Sequence, residues 1–374
     1  MRPSGCWGPS VPDRSVQSLG VAAPREPALL HVTEPEPADG QAWVSTLWSG
    51  ISAGTEVALV SGGDPHHRSG WDRELRVFGT GPVAGYPIAG LGYMEVGRVT
   101  ESRTETLAVG QVVAMAYGHR TGHCVDPARE LVVPVPDDLD PILGVFLAQM
   151  GPICVNGLLH AAAETNGPLA EVADGVRDRH VLVAGAGVVG LLTALLADRH
   201  GAASVTVMDP SPERLEVAGA LGVDTALEGE AWRTLKERYR HGTRDRGVDV
   251  AFQCRGHSSS LVMALKALRP AGTVVDMAFY QDGSPDLRLG EEFHHNGLTI
   301  RCAQISRVPR GMADRWAPAR SASVTLDLVR ERAADLRTHV VSDIVDLQDG
   351  PVLLIDLASR RRPVLTAVLR MPGT

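Results

Sequence analysis

Apolar positions follow two different rhythms along the chain. From about residue 20 to 155, short runs such as AWVSTLWSGI (42–51), YMEVGRVTE (93–101), QVVAMAY (111–117) and ELVVPVP (130–136) are split by Gly and Pro. Runs of that length, rich in β-branched and aromatic residues and bounded by turn formers, predict a β-rich, partly barrel-like domain. From about 156 the rhythm changes. HVLVAGAG (180–187) predicts an apolar strand running into glycines, and VVGLLTALLADRHG (188–201) a helix closed by Gly. SVTVMDP, PERLEVAGALG, VDVAFQCRG, SLVMALKALRPAG, TVVDMAF and LTIRCAQ continue the alternation. Repeated strand–helix–strand units predict a doubly wound parallel sheet over roughly 156–305. The remainder, 306–374, holds a helix near 321–337 and a last strand near 363–370, expected to pack back onto the first domain. Residues 1–18, rich in Pro, Ser and Gly, read as a mobile leader.

Composition narrows the class. The 374 residues allow about two to three domains. Lys plus Arg number 36 and Asp plus Glu 44, a net charge of −8, which argues against nucleic-acid binding. No apolar run is long enough to span a membrane, and residues 1–18 carry no apolar signal core, so a cytoplasmic location is expected. The five cysteines, Cys6, Cys124, Cys154, Cys254 and Cys302, are scattered with no C-x-x-C, which fits a reducing compartment and excludes a cysteine-rich zinc lobe.

The sharpest motif is Gly185-Ala-Gly187-Val188-Val189-Gly190, a G-x-G-x-x-G placed between a buried strand and a helix. Gly185 permits the tight turn, Gly187 lets the backbone approach a pyrophosphate, and Gly190 allows close helix–strand packing. The helix start offers free N–H groups to phosphate. Asp209 follows about 20 residues on, at the end of the next strand, where a carboxylate accepts the ribose hydroxyls and repels a 2′-phosphate. NAD is therefore favoured over NADP, with Arg214 close enough in sequence to oppose that preference. Cys254 and Arg255 end a later strand, where residues line the nicotinamide ribose pocket.

With the domain order, SGISAGTE (49–56), GYMEVGRV (92–99) and the glycine motif, the chain resembles the medium-chain dehydrogenase/reductase superfamily over about residues 20–374. Within it, SGISAGTE and YPIAGLGYMEVGRV look like the branch holding bacteriochlorophyllide hydroxyethyl dehydrogenase and sorbitol-dehydrogenase-like proteins. The resemblance implies a GroES-like β-rich catalytic domain (19–155 plus 306–374) joined to a Rossmann domain (156–305), with the active site in the cleft between them. It also implies a homodimer paired through the last Rossmann strand, near 298–304.

The sequence departs from the zinc-dependent pattern at three places. C-G-[ST]-[DE] becomes Ala53-Gly54-Thr55-Glu56; G-H-E-x-x-G becomes Gly92-Tyr93-Met94-Glu95-Val96-Gly97; and the third ligand position falls at Gly151. A catalytic zinc needs about three His, Cys or carboxylate ligands, so none is expected. Ala58 stands where some members carry a relay histidine.

Hydride transfer without a metal still requires the developing oxygen charge to be stabilised by a proton donor. Thr55 matches the family residue that bonds the substrate oxygen, and Tyr93 replaces a ligand that faces the reacting atoms. Glu56 and the loop histidines His119 and His123 complete the catalytic candidates; a structural role is the competing reading for each. His66-His67 and His294-His295 read as surface doublets. The segment GEEFHHN (290–296), Gln304 and Arg307 are candidates for shaping the substrate pocket, against a solvated loop. The expected activity is zinc-independent, NAD(H)-dependent interconversion of a secondary alcohol and a ketone on a polar small molecule, in specialised metabolism. Alternatives are a zinc-free C=C reductase, a redox-neutral enzyme that retains NAD, and a nucleotide-binding sensor.

Overall fold

Two sheets organise the chain. The computed structural model describes residues 13–374 other than 282, 306 and 363, so Cys6 and Trp7 of the expected leader lie outside the described residues. An antiparallel pair, β1 (Arg14–Ala23) and β2 (Glu26–Glu34), comes first, followed by β3 (Ala42–Gly50) and α1 (Ala53–Ser61). A small hairpin of β4 (Trp71–Asp72) and β5 (Val77–Phe78) precedes β6 (Glu95–Ser102), β7 (Val112–Met115), β8 (Gly122–Val125) and β9 (Val133–Pro134). The long helix α2 (Met150–Asn166) leads into the second unit.

That unit alternates β10 (His180–Ala184), α3 (Val188–Arg199), β11 (Ser204–Asp209), α4 (Pro212–Ala220), β12 (Asp224–Leu227) and α5 (Ala231–Arg238). A short ribbon of β13 (Arg240–His241) and β14 (Asp245–Arg246) leads to β15 (Val248–Gln253), α6 (Ser258–Ala267), β16 (Leu268–Asp276), α7 (Glu292–His295) and β17 (Thr299–Cys302). Its six strands are all parallel, in the order β12-β11-β10-β15-β16-β17. Side chains alternate across the sheet: Val181 and Val183 join the core beneath α2 and α3, whereas Leu182 and Ala184 join the core beneath α5 and α6. Burial on both faces explains the near-continuous apolar strands. The α/β class and the doubly wound sheet are as the sequence pattern predicts.

The tail divides between the units. Helix α8 (Pro318–Glu331) packs on α2, and short α9 (Ala333–Asp335) follows. Then β18 (Asp343–Asp346), α10 (Gly350–Ala358) and β19 (Ala367–Arg370) return to the first sheet, where β19 pairs antiparallel with β3. That sheet runs β18-β19-β3-β6-β7-β9, with β8 also on β3.

Three boundaries differ from the sequence expectation. Strand β1 starts at Arg14, inside the supposed leader, because Arg14 is anchored to Glu36 and Glu101 and lies 4.4 Å from the Trp43 ring centroid. The proposed boundary at 155/156 falls within α2, which is buried along most of its length. The helix expected at 321–337 starts earlier, with Pro318 in its first turn, and gives way after Glu331 to a π turn over Leu336–Val340. Among the described residues no helix is long and apolar enough to cross a membrane.

Candidate active site

The glycine turn lies at the end of β10. Gly185 has φ +113°, a conformation that disfavours any side chain, and a Cβ at Gly190 would sit 1.8 Å from the Gly185 carbonyl oxygen. Around Gly187 nothing lies within 4 Å of an added Cβ, so the backbone is approachable there. Val188 and Val189 form the first turn of α3, whose opening N–H groups lack intrahelical partners. Asp209 ends β11 and is fixed by two backbone donors, Ala186 N–H (2.8 Å) and Ser211 N–H (2.9 Å). Two accepted bonds leave lone pairs for further donors such as ribose hydroxyls. These residues fit a dinucleotide.

Other cofactor candidates are placed less directly. Arg214 is exposed on the first turn of α4. Arg255 lies against the turn, its Cβ 3.0 Å from where a Cβ of Gly185 would be, and its guanidinium bonds Glu228 (2.8 Å) and Ser260 (3.0 Å). Glu228 follows β12, and its N–H donates to the Asp209 carbonyl. Sequence reading missed it, since no local motif marks it. Burial pushes the Cys254 thiol far above its ordinary range and the Cys154 thiol up to about 12, so both stay protonated.

Three hydroxyls converge at the start of α1. Tyr93 Oη makes a short hydrogen bond with Ser52 Oγ and lies 3.5 Å from Thr55 Oγ1. Ser52 is the N-cap of α1, yet its side chain makes no capping bond. Its Oγ instead meets the phenol, and its N–H donates to Glu56 Oε1 at 2.7 Å. Burial pushes the Tyr93 phenol above its usual value, against the opposing pull of Ser52 and Thr55, so it is a protonated donor at neutral pH. Tyr93, Ile153, Val188, Val189, Cys254 and Met277 are half-buried, and all pack on the one core cluster that runs from the first domain into the Rossmann sheet. Cys154 on α2 relates Tyr93 to the nucleotide turn: it lies close enough to influence the phenol, and its Sγ is 3.4 Å from the Val189 carbonyl. Ser52 was not among the sequence candidates; an N-cap serine three residues before Thr55 was the available signal.

The metal positions do not fit zinc. Ala53 has no donor, Tyr93 is engaged with hydroxyls, and a Cβ at Gly151 would lie 2.0 Å from Thr325 Cγ2 on α8, so no ligand side chain fits there without moving that helix. Among the described residues no group of three or more His, Cys, Asp or Glu is arranged to hold a metal ion.

The two loop histidines separate. His119 is fully buried, with Nε2 2.9 Å from Glu56 Oε2 and Nδ1 2.6 Å from Ser49 Oγ, so it underlies the hydroxyls and is closed off from solvent. His123 is not in a loop but in β8, bonded on either side to Glu34 (2.9 Å) and Glu130 (2.8 Å) and stacked on Tyr117. No contact links it to Tyr93 or Thr55. Burial disfavours its charge, but Glu130 and Glu34 outweigh this and raise its pKa from 6.5 to about 9. A folded pKa above the unfolded one contributes stability fully below about 6.5 and loses it as pH rises through about 9. The melting temperature is expected to fall over that window, and His123→Gln should flatten the slope.

The segment 290–296 also departs from the pocket expectation. Phe293 packs on the α5/α6 side of the sheet, and the Asn296 carbonyl accepts from Ala271 N–H near the start of β16, at the opposite end from the glycine turn. The Gln304 and Arg307 carbonyls bond Asn156 and His160 of α2.

Residues 188–320 match the zinc-binding dehydrogenase family model. The fold, a β-rich first unit joined to a six-stranded parallel sheet, is the one seen in medium-chain dehydrogenase/reductase structures. A D-guloside 3-dehydrogenase of Escherichia coli (strain K12) is 26% identical over 318 residues, spanning 82% of this chain and 85% of that protein. An L-threonine 3-dehydrogenase of Rhizobium johnstonii is 26% identical over 238 residues, 59% of this chain and 63% of that one. An alcohol dehydrogenase structure from Thermotoga maritima superposes with a TM-score of 0.71 at 19% identity, covering 96% of this chain and 100% of that one.

Proposed function

We propose that this protein is a zinc-independent oxidoreductase that interconverts a secondary alcohol and a ketone on a polar, polyol- or sugar-like molecule, with NAD(H) preferred over NADP(H). The observation that carries the reading is the Ser52–Thr55–Tyr93 hydroxyl cluster where the metal ligands of zinc-dependent members fall. The D-guloside 3-dehydrogenase supports the sugar-like class by its name, and the L-threonine 3-dehydrogenase supports only dehydrogenation of a polar small molecule. Asp209 supports NAD, because a fixed carboxylate there repels a 2′-phosphate.

The bound nicotinamide would supply the hydride acceptor or donor; Gly185, Gly187, Val188, Val189, Gly190 and Asp209 would hold it. In ketone reduction the Tyr93 phenol gives its proton to the developing alkoxide, and the Ser52 and Thr55 hydroxyls stabilise the oxygen left behind. In alcohol oxidation Tyr93 must first release its proton to solvent; the phenolate, held by the Ser52 and Thr55 hydroxyls, then takes the alcohol proton. The half-buried apolar residues around Tyr93 limit water at this point and strengthen each bond. Glu56, His119 and His123 act, on this reading, away from the substrate.

A panel of sugars, polyols and hydroxy acids, assayed with NAD and NADP, tests this. NADH formation with a sugar or polyol, at a higher kcat/KM for NAD than for NADP, is the expected result. Oxidation of NADPH by enones or quinones, with no alcohol turned over, would overturn it in favour of a C=C reductase. Tightly retained NAD with no net redox change would overturn it in favour of a redox-neutral enzyme.

A further inference from the structure

Both segments that carry the hydroxyls pivot on His119. Through its side chain it reaches α1: Nε2 lies 2.9 Å from Glu56 Oε2, and Glu56 Oε1 takes the Ser52 N–H. Through its backbone it reaches the Tyr93 segment, where His119 N–H donates to the Leu91 carbonyl at 2.8 Å. Gly92, next to Tyr93, lies directly over the ring; a Cβ there would be 2.3 Å from His119 Cε1. Gly92 also has φ +83°, so a bulkier residue would displace both the backbone and the imidazole.

The hydrogen-bond partners favour one protonation state of the ring. Ser49 Oγ donates its single hydrogen to Glu95 Oε1 at 2.9 Å. With Glu95 ionised, His119 Nδ1, 2.6 Å from Ser49 Oγ, is the donor; burial raises the Glu95 pKa and opposes that ionisation, while the His119 charge and the Tyr117 N–H favour it. The Glu56 carboxylate accepts, so Nε2 is a donor as well. A ring with two N–H groups is an imidazolium. The charged groups facing it are Glu56 from α1 and Glu95 from β6, the latter 3.7 Å from Nδ1. Glu95 Oε2 is itself satisfied by Tyr117 N–H at 3.0 Å. Burial opposes the charge on His119, and the two carboxylates outweigh it, so the imidazole titrates above its ordinary value.

We propose that His119 is a positioning residue: a buried imidazolium that, through Glu56 and Leu91, sets the Ser52 and Tyr93 segments so that the hydroxyls meet. The inference rests on the reading that those hydroxyls are the reacting groups. It makes a resident organic cation the ordering centre beneath them.

Three measurements on the full-length protein test it. Nitrogen-15 NMR of labelled histidine, with His119 assigned through His119→Gln, should show both ring nitrogens protonated at neutral pH. H119Q leaves the buried Glu56 charge without a counter-charge, so the melting temperature should fall, and kcat for the alcohol should drop about tenfold or more while the KM for NAD changes less than about twofold. Adding Glu56→Gln to H119Q removes the stranded charge and should recover most of both losses. A neutral ring, or a double variant as impaired as the single one, would overturn the proposal. Absence of wild-type turnover with any alcohol would count against the functional reading instead, and the NMR and melting arms would still decide the role of His119.

Discussion

Replacing Tyr93 with Phe is expected to lower kcat for the alcohol by about two to four orders of magnitude, the usual contribution of a positioned general acid–base group. The phenol and Thr55 are the half-buried members of the hydroxyl cluster, and burial keeps the phenol protonated. Phe retains the ring that packs on the shared core and removes only the oxygen. The melting temperature and the NAD dissociation constant should therefore stay close to wild type. Ser52→Ala should give a smaller loss, since Thr55 still lies 3.5 Å from the phenol. Steady-state kinetics with a nucleotide-binding titration checks this; a Y93F variant with near-normal kcat would show that another group moves the proton.

The second large effect concerns Gly190. Its added methyl would lie 1.8 Å from the Gly185 carbonyl oxygen, a backbone atom that cannot rotate aside. Gly190→Ala must push α3 away from the turn or open the turn itself, and overpacking of this kind costs about 1–3 kcal/mol. On the proposed reading this turn receives the pyrophosphate and absorbs the displacement, so NAD affinity should weaken by about tenfold to a hundredfold. Gly187→Ala meets nothing within 4 Å in the free protein. It should leave the melting temperature intact while weakening NAD alone. Fluorescence titration with NADH separates the two variants. Equal affinities for G190A and wild type would mean that the turn does not hold the nucleotide.

The parallel sheet and its glycine turn were legible because they rest on local pattern: apolar strands, periodic helices, and glycines at a strand–helix junction. Thr55, Glu56, Tyr93 and His119 were legible as individual chemistry-bearing residues. Their division into a hydroxyl cluster and a buried layer beneath it was not, because it arises from pairing over long separations, such as Glu56 with His119. Glu95 carried no signal, since a carboxylate opening a strand reads as solvent-facing, whereas here it is completely buried. His119 and His123 looked equivalent in one short segment. Gly118, with φ +103°, lies beside His119, which turns into the barrel, while β8 carries His123 to Glu34 and Glu130. Gly151 looked like a lost ligand; the structure adds that α8 occupies the space a ligand would need.

The central claim is that the hydroxyl cluster does the work without zinc. The most direct measurement is metal content by plasma mass spectrometry on the same purified sample used for kinetics, before and after treatment with a strong zinc chelator. Far less than one zinc per chain, with alcohol-dependent NADH formation unchanged by the chelator, is the result predicted here. About one zinc per chain, with activity lost on chelation and restored by zinc, would contradict it.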